Sequence, residues 1–255
     1  MKRISAEAIR VVNLSLTATS AESYLTSVVD AAVEQLWFNG VVVVAAAGNR
    51  GSAPDAVWYA PANDPYVLTV GALDDRGTLD PSDDVLAEFS SRGTTEDGYY
   101  KPDVVAPGRR IYSVLASPSS TIAQQFPTHV SGDGQHIRLT GTSMAAAEVS
   151  GVIALLLEHS PNLPVNQVKR LVKGTAISYA FEPDGAREVD ALGLLTTALA
   201  GNLRTLADVN VGLVPNSGIA PTTGTVQWGS AYWDASHWDA AYWDCSHWDA
   251  TADYD

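Results

Sequence analysis

Ser143 stands in the stretch Gly141-Thr142-Ser143-Met144-Ala145-Ala146-Ala147-Glu148-Val149-Ser150-Gly151, ahead of the apolar run Val152 to Leu157. The small Gly-Thr pair delivers the serine to the first turn of an apolar helix. There the first backbone N–H groups lack partners and the helix dipole is positive. A hydroxyl at that point faces an anion site, which suits a nucleophile whose attack creates an oxyanion. The same pattern also describes a core helix with Ser143 as its N-cap. Asn49 is the second candidate, following Gly48 at the end of the apolar run Val41 to Ala47. Its amide can donate to an oxyanion and brings no charge to desolvate. It can equally supply turn geometry between Gly48 and Gly51.

A serine hydroxyl needs a base within hydrogen-bond reach and a group to orient that base. The chain has five histidines. His129 is followed by Val-Ser-Gly, and His136 lies in the segment before Ser143. His159 is more than four helical turns further along, and His237 and His247 belong to a repeat near the end of the chain. None of them is marked by its surroundings as the partner of Ser143.

The elements that would position these residues read as alternating strands and helices. Arg10 to Leu16 and Val41 to Ala47 are continuous apolar strands. Between them Thr19-Ser20-Ala21-Glu22 has capping-box spacing. After it Leu25, Val28, Val29, Ala32, Val33 and Leu36 recur at helical spacing, and Gly40 ends the helix. Strand, helix and strand make a βαβ unit, hence a parallel sheet covered on both faces. In such sheets a site lies beyond the carboxyl ends of the strands, where Ser15-Leu16 and Gly48-Asn49 stand. Tyr66 to Leu73 is a further strand. Pro118 to Gly134, rich in Ser, Thr, Pro and Gly, reads as a surface loop. The Ser143 helix, apolar nearly all round, reads as buried. Val165 to Lys173 is a short amphipathic helix closed by Gly174.

Five stretches together resemble the subtilases, the subtilisin-like serine peptidases. Gly141 to Ala145 is similar to their serine motif, Val41 to Asn49 to their oxyanion-asparagine strand, and Val12-Asn13-Leu14-Ser15-Leu16 to their substrate-binding strand. Phe89 to Gly93 and Lys101 to Gly108 follow in the family's order, and Glu188 to Leu199 is similar to its closing segment. The resemblance covers about residues 10 to 198. It implies an α/β fold, a subtilisin-like three-layer sandwich with a parallel sheet, incomplete at the N-terminal side. It also implies a serine endopeptidase working through an acyl-enzyme on Ser143, with Asn49 and the Ser143 N–H as the oxyanion hole. Ala46, Ala47 and Gly48 would then line one wall of the pocket for the residue before the scissile bond. Ser15, Leu16 and Thr17 would be the edge against which extended substrate pairs. The family often has glycine where Thr17 stands.

Two departures stand out. The family's catalytic aspartate and histidine motifs are not found in the chain, so it reads as the carboxy-terminal part of a catalytic domain, inactive alone. The upstream part of the same protease would be a partner. Glu148, in a place where many subtilases have histidine, puts a carboxylate on a helix expected to be buried and so needs a partner. Subtilases often hold calcium, and Asp74, Asp75, Asp80, Asp83, Asp84 and Glu88 supply oxygen ligands. Their spacing fits no standard calcium loop, so a solvated acidic surface is expected, with no certain cofactor.

The 255 residues carry 15 Lys+Arg against 29 Asp+Glu, a net charge of −14, which argues against a nucleic-acid partner. Cys245 is the single cysteine, so no internal disulfide exists. No run is apolar and long enough to span a membrane, and Met1-Lys2-Arg3 leads into no signal-type core. Extracellular action is expected from the family alone. Composition divides the chain into 1–204, the peptidase-like part, and 205–255, an acidic low-complexity tail. In that tail Trp228, Trp233, Trp238, Trp243 and Trp248 recur every five residues, four of them followed by Asp. A step of five leaves no single apolar stripe on a strand or helix. The tail therefore reads as flexible, or as a row of aromatics for carbohydrate or cell wall. The alternative to an enzyme is a non-catalytic binding protein that keeps the groove and this tail.

Overall fold

A computed structural model describes residues 9–179, 185–200 and 209–218. The Trp repeat and Cys245 lie outside the described residues. Strand β1 (Val11–Leu14), helix α1 (Val28–Phe38) and strand β2 (Val42–Ala46) form the expected parallel βαβ unit. Strands β3 (Leu68–Asp74), β4 (Val85–Leu86), β5 (Gly93–Thr94), β6 (Tyr100–Lys101), β7 (Val104–Pro107) and β8 (Ile111–Val114) follow. Then come a short helix α2 (Thr121–Gln125), β9 (His136–Leu139) and α3 (Thr142–His159). The last elements are α4 (Val165–Thr175), β10 (Arg187–Glu188) and α5 (Ala191–Leu199). The sheet order is β1-β2-β3-β7-β10, all parallel, with β4 antiparallel on β3.

The centre of this sheet is apolar on both faces. Every residue of β2 is buried, as are Leu68, Val70, Ala72, Val104 and Ala106. Ala145, Ala146, Val149, Ile153 and Leu156 of α3 complete the same core, and the helix packs on β1, β2, β3 and β7. Small residues in its first turns let α3 approach the strands closely.

Several expectations change. Helix α1 starts at Val28, not after the Thr19–Glu22 spacing. Ser27 caps it, its Oγ accepting from the Asp30 N–H at 3.2 Å. Glu22 instead pairs through its backbone with Trp58. The buried face is Asp30, Ala31, Val33, Glu34, Gln35 and Trp37, whereas Val29 and Ala32 face out. The supposed loop at 118–134 contains α2 and a 3₁₀ turn at Pro127–His129, and His136 belongs to β9, paired antiparallel to β8. Helix α4 runs through Gly174 to Thr175. Helix α3 is not buried all round: Ala147, Gly151, Ala154 and Leu155 are exposed. Glu148 lies on that exposed side and needs no buried partner. The acidic surface at 74–88 is only partly solvated, because Asp84 is buried against Glu188.

Candidate active site

The carboxyl ends of β1 and β2 bring three expected stretches together. Gly141 occupies the cap position of α3 and Ser143 is the second helical residue, half-buried. The Ser15 hydroxyl donates to the Ser143 carbonyl at 3.0 Å and so ties the end of β1 to the serine turn. Thr17 is exposed, and its methyl group lies 3.6 Å from where a Cβ on Gly48 would stand. Residues 15–17 and 46–48 are therefore neighbours across the same opening. Leu16 is half-buried. Ala46 and Ala47 are 2% and 1% exposed as whole residues, so of the three residues expected to line that wall only the half-buried Gly48 reaches the opening. Gly48 has φ +99, and a Cβ there would come within 3.0 Å of the Ser91 hydroxyl. Only glycine turns the chain here without strain.

Asn49 is held by one end of its amide. Its Oδ1 accepts from the Thr142 N–H and from the Thr142 hydroxyl, both at 3.0 Å. The Thr142 hydroxyl in turn accepts from the Gly48 N–H at 3.1 Å. With the oxygen doubly engaged, the amide has one orientation, and Nδ2 is left to donate elsewhere. Nδ2 lies 3.3 Å from the ideal Cβ position of Gly141, so a side chain at 141 would press on it. Thr142 thus positions Asn49, a role hidden in the sequence because threonine beside a helix start reads first as a cap. The turn after Asn49 is pinned by Ser91, whose Oγ accepts from the Arg50 N–H at 2.9 Å.

An open cleft of ≈ 460 Å³ adjoins Asn49, lined by Arg50, Gly51, Ser52, Ala53, Glu88 and Phe89. Arg50 stacks over the Tyr59 ring at 3.8 Å and donates to its hydroxyl at 2.8 Å. Glu88 is paired with Arg109 at 3.0 Å. Asp74 takes Arg109 at 3.6 Å and Arg110 at 3.3 Å. These pairings employ part of the acidic group considered for calcium. Among the described residues no three His, Cys, Asp or Glu side chains come together to hold a metal ion.

The described histidines lie elsewhere. The His136 Nδ1 is 2.7 Å from Asp133 Oδ2, at the end of β9 farther from Ser143. Hydrogen bonds from Ser131, the Gln135 N–H and His136 hold the Asp133 carboxyl well below the usual range. His129 stacks on Phe126 at 5.4 Å. His159 closes α3, about 24 Å of helix beyond Ser143.

A hydroxyl at a helix start, beside an amide fixed with its donor free, at the carboxyl end of a parallel α/β sheet, defines a hydrolase-type arrangement. The family model described as "Subtilase family" matches residues 1–216, and the chain belongs to that family. It is 46% identical over 143 residues to "Serine protease AprX" of Bacillus subtilis, covering 56% of this chain and 31% of that protein. It is 36% identical over 168 residues to "Subtilisin DY" of Bacillus licheniformis, covering 65% and 49%. Among solved structures, fervidolysin from Fervidobacterium pennivorans, described as a keratinolytic enzyme related to subtilisin, superposes with a TM-score of 0.58. It is 30% identical over 76% of this chain and 27% of that one. The fold is therefore subtilisin-like α/β. The chain spans about a third to a half of the length of the two curated relatives it is compared with here.

Proposed function

We propose that the chain supplies the nucleophile and oxyanion site of a serine endopeptidase. Ser143 Oγ attacks the peptide carbonyl. The resulting oxyanion is held by Asn49 Nδ2 and the Ser143 N–H, and the leaving amine departs to give an acyl-enzyme that water then hydrolyses. The observation that carries this reading is the double clamp of Thr142 on Asn49 Oδ1, which fixes a donor before substrate arrives. A preorganised donor costs no reorganisation in the transition state. The substrate is a polypeptide lying along residues 15–17 and 46–48, with the Thr17 side chain narrowing the groove. Subtilisins are typically secreted, which supports an extracellular site of action. Among the described residues no helix is long and apolar enough to cross a membrane.

The acid-base pair belongs to a segment outside the described residues. Two surfaces suit such a segment. The outer edge of β1 has no strand on it among the described residues. The outer face of α3 exposes the small residues Ala147, Gly151 and Ala154, which admit close packing of a second helix, and the apolar Leu155 beside them. A fluorophosphonate probe tests the reading. The full chain alone should label negligibly, and labelling should appear at Ser143 when the upstream polypeptide with its Asp and His is added. Fast labelling of the chain alone, abolished by His136→Ala, would instead place the base inside the chain.

A further inference from the structure

Residues 209–218 form a strap along α1 that is held mainly by hydrogen bonds. Leu213 touches the core, but Val211 and Val214 are 76% and 63% exposed, and Asn216 alone is fully buried. At one end Lys169 Nζ donates to Asn210 Oδ1 at 3.3 Å. In the middle the Tyr66 and Tyr24 hydroxyls donate to the Leu213 and Val214 carbonyls at 3.0 and 2.8 Å. At the other end the Asn216 amide donates to the Tyr24 and Ser27 carbonyls, and the Ser217 N–H to Leu25 at 2.8 Å. The Asn216 N–H points at Glu34, 3.1 and 2.9 Å from its two carboxyl oxygens. A segment with so little apolar burial belongs to the least stable part of a fold.

The strap has a direction. It begins beside Tyr66 and Lys169, near the start of β3, and ends beside Leu25 and Ser27, at the start of α1. Helix α1 connects two parallel strands and so runs against them, which puts its start at the carboxyl end of the sheet. Asn49 and Ser143 are at that end. Gly218, the last described residue of the strap, thus stands at the end of the molecule that carries the serine.

We propose that residues 209–218 are a clasp over α1 that stays closed while Glu34 is protonated and opens when Glu34 ionises. Glu34 is fully buried under the strap and has one donor, the Asn216 N–H, to support a negative charge. Loss of water and the Asp64 carboxylate push its carboxyl up to about 9. The other groups facing this pocket are Asp30 on the same helix, Glu22 before it, and the Tyr24, Tyr66 and Tyr99 hydroxyls. Lys101 and Lys169 face Asp64 from the far side, and none of these cations hydrogen-bonds Glu34. An ionised Glu34 gains its water back only if the strap lifts. Closed, the clasp keeps the proton; open, Glu34 titrates as an ordinary carboxyl. Opening therefore releases one proton, and the opening equilibrium rises by up to about tenfold per pH unit between pH 6 and 9.

Hydrogen exchange of the full chain tests this, with intrinsic exchange rates divided out at each pH. The Asn216 and Ser217 amides should lose protection as pH rises from 6 to 9 in the wild type, while the α3 amides keep theirs. Glu34→Gln retains the shape and an acceptor but cannot ionise, so its strap protection should not change with pH. Asn216→Ala should lose strap protection at every pH, which shows that the readout reports the clasp. A wild-type strap whose protection is independent of pH overturns the proposal. An equal pH slope in Glu34→Gln, or parallel loss in α3, overturns it as well.

Discussion

The serine corner and the interior behind α1 solve opposite problems with polar groups. At the corner every group tied into place is uncharged: Ser15 donates to the Ser143 carbonyl, Gly48, Asn49 and Thr142 satisfy one another, and the Asn49 amide keeps donors to spare. Behind α1 the buried groups are ionisable. Asp30, Glu34, Asp64, Lys101 and Lys169 are each less than 5% exposed, and so is the side chain of Asp103. Among the described residues neither Asp30 oxygen accepts a well-formed hydrogen bond, and Asp64 Oδ2 has none. Neutral hydrogen bonds hold a geometry at modest cost, whereas buried charges tie their energy to pH. The corner should therefore fail by losing rate, and the interior by losing stability.

The largest effect is expected in the interior. Lys169 Nζ donates to the Pro65, Tyr66 and Val67 carbonyls at 2.7, 3.2 and 2.9 Å and stands 3.6 Å from Asp103. Lys169→Met removes the donor to the Pro65 carbonyl, leaves the Tyr66 and Val67 carbonyls to Asn210 and Lys101 alone, and takes one of three cations from the buried Asp103 carboxylate. It should cost about 3–5 kcal/mol in denaturant unfolding. A loss below about 1 kcal/mol would mean that water or Lys101 replaces it. At the corner, Asn49→Ala should lower kcat by about 10²–10³-fold in a form that has its acid-base pair, with little change in KM. That size is the one known for removing the equivalent donor in a subtilisin. Thr142→Val should give a smaller fall in kcat, because Asn49 remains but can rotate. Equal rates for Thr142→Val and wild type would show that the Asn49 amide is oriented by something else.

The sheet was legible because its strands are continuous apolar runs, and Val41 to Ala47 could be little else. That Ser143 and Asn49 meet at one corner was legible through the family resemblance, since alone each reads as well as an N-cap or a turn residue. The interior was not. Asp30 and Glu34 on α1 look like solvent-side residues of an amphipathic helix, and the apolar set Leu25, Val28, Val29, Ala32, Val33 and Leu36 mixed the buried Val33 and core-packed Leu36 with the exposed Val29 and Ala32. The strap's Asn216, which donates to the Glu34 carboxyl, is 182 residues from it. Composition placed that strap in the tail, since Val209 to Gly218 carries no charge. No local pattern records a contact at such a separation. Thr142 was missed for a different reason, because its second hydrogen bond depends on β2 and α3 meeting.

The smallest effect sharpens the contrast by its sign. Burial, then the carboxyls of Asp64, Glu22 and Glu34, push Asp30 well above the ordinary aspartate range, with only Ser27 opposing them. The folded chain thus keeps this proton to higher pH than the unfolded chain does. Its contribution to stability is intact below about pH 4 and is lost as pH rises toward the folded value. Asp30→Asn cannot ionise and nearly preserves the shape, so it escapes that loss. The variant should match wild type near pH 4 and exceed it by about 1–3 kcal/mol at pH 8. Denaturant midpoints at the two pH values measure the difference. A variant less stable than wild type at pH 8 would mean that an ionised Asp30 has a partner there, and the interior would then be a satisfied charge network rather than a strained one.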